Sequence, residues 1–154
     1  MTRTETILFL ARQFLFVREV GGQNTGVWVQ TIQKVTGNAP PDSWCASFTA
    51  LIMGLAFGGK SPLPRSAGCD AWLEAARKEG WLTQTPSVGD IFLRLKTPTD
   101  AVHIGFVTDV SQLPAVGTIS GNTSEDGTSS NGDRVAERFI TPATGTIIYI
   151  AYPR

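Results

Sequence analysis

The hydrophobic pattern of this chain changes period once, at Pro86, and that change limits the fold more than any single motif does. Before Pro86 apolar residues recur at helical spacing; after it they alternate, as in half-buried strands. The spacing predicts helices over Thr4 to Val17, with Thr4 as N-cap, Val27 to Val35, Trp44 to Phe57 and Ala67 to Glu79. The alternation predicts strands over Asp90 to Leu95, His103 to Asp109, Val116 to Ser120, Arg134 to Ile140 and Thr146 to Tyr152. Helices first and strands afterwards predict an α+β fold, a mostly antiparallel sheet packed against the helices. With 154 residues, 42% of them hydrophobic, the chain reads as one domain over 1–154, able to build a core without disulfide or metal staples. Ser120 to Asp133, rich in Gly, Ser, Asn and Asp, reads as a surface hairpin loop.

Charge narrows the partners. Lys plus Arg and Asp plus Glu both number 13, so no basic surplus points to nucleic acid. Phe48 to Phe57, the longest apolar stretch, is too short to cross a bilayer, and no membrane partner is expected. Arg12 and Gln13 interrupt the apolar run near the N-terminus and no small-residue cleavage site follows. The expectation is a monomer made in the cytoplasm without a signal peptide. Cys45 and Cys69 are read as free thiols. One histidine and two distant cysteines do not make a zinc site. The 122–133 loop resembles a calcium loop only in Asp126 before Gly127, with Ser124 at a ligand place and no closing glutamate. No cofactor and no metal is expected.

The segment from Trp44 to Phe57 is small, apolar and nearly uncharged, as a central helix enclosed by protein would be. Asp42 or Ser43 can cap it, which leaves Cys45 in the first turn, where unpaired N–H groups and the positive dipole end favour a thiolate. His103 is the only histidine, so any thiol chemistry has its base already named. A third polar group usually fixes the imidazole tautomer, and Asn122, just past the strand after His103, is the candidate. Each residue also has a plainer reading: a buried thiol, a packed histidine, a turn asparagine. Cys69 has no basic partner nearby in sequence and is read as a packed thiol, and the four tryptophans as packing residues.

Trp44-Cys45-Ala46-Ser47-Phe48, Gly89-Asp90-Ile91-Phe92, His103-Ile104-Gly105-Phe106-Val107 and Gly121-Asn122-Thr123-Ser124, in that order, resemble the motifs of the CHAP family (cysteine, histidine-dependent amidohydrolase/peptidase). The upstream Val17-Arg18-Glu19-Val20-Gly21-Gly22-Gln23-Asn24 and the stretch Gly121 to Val135 resemble phage-associated members. The resemblance implies a papain-like fold with the nucleophile helix packed on the sheet. It implies a cell-wall hydrolase that cuts a peptidoglycan amide (stem peptide, cross-bridge or sugar-to-peptide) and reaches the wall after release or delivery. It places the nucleophile at Cys45, the general base at His103 and the orienting residue at Asn122. The sequence departs from the family at Ser120, where many relatives carry a glutamate. With Ser there, either Asn122 orients the ring or the site works as a dyad. Glu19, Asn24, Trp44 and Arg65 are the candidates for substrate binding, as polar or aromatic groups expected near Cys45. The sulfur and the imidazole are expected to meet at the floor of an open groove. Two other readings stand beside this one: a non-catalytic wall-binding or virion structural module with the same fold, and a papain-like effector acting on a host protein.

Overall fold

The computed structural model describes residues 1–124, 132–143 and 146–154. The middle of the expected hairpin loop, with Asp126 and Gly127, lies outside the described residues. Four helices come first: α1 (Arg3–Arg12), α2 (Val27–Lys34), α3 (Cys45–Ala56) and α4 (Cys69–Glu79). Six strands follow: β1 (Leu82–Thr83), β2 (Ile91–Thr97), β3 (Asp100–Asp109), β4 (Val116–Thr123), β5 (Arg134–Ile140) and β6 (Ile147–Ile150). They form one sheet in the order β1-β6-β2-β3-β4-β5, every neighbouring pair antiparallel. The fold is therefore α+β, with the helices segregated from the sheet in sequence.

α1 differs from its expected form at both ends. Its cap is Thr2 rather than Thr4, because Glu5 stands three residues on and the two close a reciprocal capping box. It stops at Arg12, and the chain then turns so that Val17 reaches the sheet, where its carbonyl accepts from Val135 N at 3.1 Å. Leu15 and Phe16, which continue the helical spacing in sequence, are exposed instead. α4 begins at Cys69, after Gly68, and ends at Gly80.

α3 is the buried helix. Nine of its twelve residues are buried, among them Phe48, Ile52 and Met53, and it contacts α1, α2, β3 and β4. Its burial explains its composition, since a charge at any of those nine positions would lose hydration without a partner. The main core joins α1, α3 and α4 to Ile91, Leu93, Ile104, Phe106 and Ile119 of the sheet; a smaller cluster holds Phe92, Val107, Val116, Ile140, Ile147 and Tyr149. α3 docks closely on β4 because Gly121 has no side chain there. A Cβ at that position would stand 2.8 Å from Phe48 Cβ and from Trp44 Cζ3.

Candidate functional site

Cys45 is the first residue of α3, and its N-cap is Trp44, which makes no side-chain capping bond. The expected cap from Asp42 or Ser43 is not formed. The Ser43 hydroxyl is engaged elsewhere, accepting from Asn122 Nδ2. A network of buried amides holds the approach to the helix. Gln33 Nε2 donates to the carbonyls of Asn24 (3.0 Å) and Asp42 (2.8 Å), and Asn24 Nδ2 donates to Pro41 O at 2.7 Å. Thr36 and Ser47 share a hydroxyl bond of 2.6 Å that ties α3 to the end of α2. Within the 39–44 loop the Pro41 and Asp42 carbonyls are thus satisfied by side chains where no ladder is available to them.

His103 comes from β3, opposite Arg94 of β2, and is fully buried. Its Nε2 lies 3.1 Å from Ser120 Oγ of β4. With Phe106 opposite Ile119, the register carries His103 into reach of the residues just beyond Ile119. Gly105 keeps the space beside them open: a Cβ there would stand 2.6 Å from Ser120 Cβ. Nδ1 is buried and has no hydrogen-bond partner among the described residues, and the Phe92 ring packs at 5.8 Å.

The thiol of Cys45 is held well below the ordinary thiol range. Its largest cause is the contact with the Cys69 thiol, whose sulfur is 3.8 Å away; His103 and the Ala46 amide add to it, while burial opposes them. Cys69 is pushed up by the same contact, by burial and by the neighbouring Asp70 carboxylate. Both cysteines open a helix, but only Cys45 has the imidazole, and only Cys69 has an acid beside it in sequence. The thiolate therefore belongs on Cys45.

Of the sequence-predicted catalytic residues, Cys45 and His103 stand on elements that touch, α3 and β3, and His103 contributes to lowering the Cys45 pKa. Asn122 stands on a backbone of φ 52°, inside a register shift of the β4–β5 pairing between Ser120 and Thr123. That left-handed residue breaks strand alternation, and its amide is directed to Ser43 rather than to the ring nitrogen that Ser120 occupies. Ser120, rather than Asn122, is the polar side chain that lies against His103 Nε2. The signal for it was present: Ser120 holds the very position at which the resembled family carries its acid. Nothing in the sequence marked Cys69 as a neighbour of Cys45, because the contact joins the starts of two helices.

The four expected substrate-binding residues do not gather at the sulfur. Trp44 is fully buried and its Nε1 donates to Glu19 Oε1 at 3.0 Å, so both serve the packing of the turn before α3. Asn24 is buried within the loop network already described. Arg65 donates to Val35 O and lines a cavity of about 490 Å³ beside the later part of α3, with Ala50, Met53 and Leu55, away from the helix start that carries Cys45. The open groove is not seen either: Cys45 is 3% exposed. No metal-ligating cluster of three or more His, Cys, Asp or Glu occurs among the described residues.

No protein-family model matches this sequence, and the search of curated proteins gives no significant match.

Proposed function

We propose that the protein is a papain-like cysteine hydrolase of the CHAP type that cleaves an amide bond of peptidoglycan. The observation that supports the reaction class is the set Cys45, His103 and Ser120: a thiol with a lowered pKa at the start of α3, an imidazole on the contacting strand β3 that contributes to the lowering, and a hydroxyl 3.1 Å from its Nε2. The substrate class rests on the motif resemblance alone.

In the proposed reaction the Cys45 thiolate attacks the amide carbonyl carbon, and the carbonyl electron pair moves onto oxygen. The N–H groups of the first turn of α3, which no helical carbonyl can accept, stabilise that oxyanion. His103 protonates the leaving amine, the C–N bond breaks and a thioester remains. Water, deprotonated by His103, then releases the acid and restores the thiolate. Ser120 keeps the ring oriented, and its hydroxyl accepts from Nε2–H when the ring is charged. Because Cys45 is nearly enclosed, substrate reaches it only when the surrounding side chains give way.

Turbidity clearing of purified sacculi tests the reading. The wild type is expected to clear them, and Cys45→Ala and His103→Ala to lose clearing by a factor on the order of 10³ or more. Equal clearing by Cys45→Ala would refute the thiol mechanism. The burial of Cys45 favours a second reading, a non-catalytic wall-binding module. That reading expects retention on sacculi without soluble product, and a Cys45 that resists iodoacetamide at neutral pH.

A further inference from the structure

We propose that Cys45 and Cys69 form a reversible disulfide that turns the nucleophile off in the presence of a peroxide. The inference rests on the reading of Cys45 as nucleophile and adds a regulation to that same site. Three observations carry it. The two sulfurs already lie 3.8 Å apart, both thiols are free, and each sits on the first residue of its helix, α3 or α4. A disulfide needs the sulfurs at ~2.05 Å, an approach of roughly 1.8 Å that side-chain rotation and a small shift between two helix ends supply. Both cysteines are buried, which excludes bulky oxidants and selects a small one.

The chemistry balances with hydrogen peroxide as the oxidant. The Cys45 thiolate attacks one peroxide oxygen, the O–O bond breaks, and the departing hydroxide takes a proton to leave as water, giving Cys45 sulfenic acid. The sulfur of Cys69 then attacks the sulfur of Cys45. Its proton and the expelled hydroxide form a second water as the S–S bond closes. Two thiols lose two electrons and two protons, and one peroxide becomes two waters. A dithiol reductant reverses the reaction by exchange. Cys69 thereby protects Cys45 from irreversible oxidation, because the disulfide forms before a second peroxide can convert the sulfenic acid to the sulfinic acid.

Peroxide titration of the full chain, followed by alkylation and peptide mapping without reductant, tests this directly. The expected product is a single peptide pair linked through Cys45 and Cys69, about 2 Da lighter than the sum of the reduced peptides, since one S–S bond replaces two S–H bonds. Wall clearing should fall at least tenfold alongside it and return with dithiothreitol. In Cys69→Ser the linked pair is absent, Cys45 accumulates as sulfinic acid, and clearing does not return. Recovery of wild-type Cys45 as sulfinic acid with Cys69 still alkylatable would overturn the proposal, as would linkage only between separate chains. The mapping needs no active enzyme. A linked pair in a protein that never clears sacculi supports the thiol pair while refuting the hydrolase, and clearing without a linked pair does the reverse. The wild-type mapping decides the matter even where Cys69→Ser fails to fold.

Discussion

Ser120 is the residue on which the catalytic reading of this chain turns. A hydroxyl on Nε2 fixes ring orientation but cannot offset imidazolium charge as a carboxylate would. Its removal should therefore cost what one hydrogen bond is worth. Ser120→Ala is expected to lower kcat by about tenfold, corresponding to ~1.4 kcal/mol, with KM little changed, read from initial rates of sacculus clearing. Cys45 supplies the pH signature. Its thiol pKa is depressed by Cys69, His103 and the Ala46 amide, so the thiolate persists below the usual thiol range and is lost only as pH falls through the lowered value. Iodoacetamide labelling of Cys45 should then rise less steeply with pH than that of an ordinary thiol, whose rate climbs toward its pKa of ~8.5. In Cys69→Ala, which removes the largest cause of the lowering, the labelling should regain an ordinary thiol's pH dependence. A rate that climbs in the wild type as it does for a free thiol would place the thiolate elsewhere.

The docking of α3 on β4 is where elements decide whether these residues can meet. Gly121→Ala places a methyl 2.8 Å from Phe48 Cβ and Trp44 Cζ3, so the helix start must move off the strand. The expected cost is about 1–3 kcal/mol in chemical denaturation, together with loss of Cys45 labelling at neutral pH. α1 is tied to β5 by Arg12, whose Nε and Nη2 reach both oxygens of Glu137 at 3.0 and 2.7 Å. That pairing lowers the Glu137 pKa against the opposing effect of burial. The stabilisation is present above the ordinary carboxylate value and is lost as pH falls through the lowered one. Because both side chains are partly exposed, Glu137→Gln should cost only ~0.5 kcal/mol near neutral pH, with the difference vanishing in acid. Element types were legible from the sequence wherever burial imposed a period: α2, α3 and β5 follow their predicted spans closely. The misses have local causes. Leu15 and Phe16 extend the spacing of α1 without being buried, and the two-residue β1 is too short for any alternation to register. Strand alternation does not carry Asn122 Nδ2 to His103, because a left-handed backbone interrupts it there and the amide meets Ser43.

The chain as a whole places Cys45 on the largely buried helix α3 and His103 on the adjoining sheet, so the proposed site is assembled only when the two halves pack. Of that site, the thiol and the imidazole could be found in the sequence because each is a scarce residue type in a distinctive neighbourhood. The partners that set their chemistry, Cys69 and Ser120, depend on which helix start and which strand register come together, and that is tertiary information. The same enclosure takes Trp44, next to Cys45 in sequence, into the core rather than out to solvent. Mass spectrometry of muropeptides released from purified sacculi is the most direct test of the hydrolase. The proposal expects one new amino terminus at a single amide, produced by the wild type and absent with Cys45→Ala. Digests with no new amine, or the same new amine from both proteins, would contradict it.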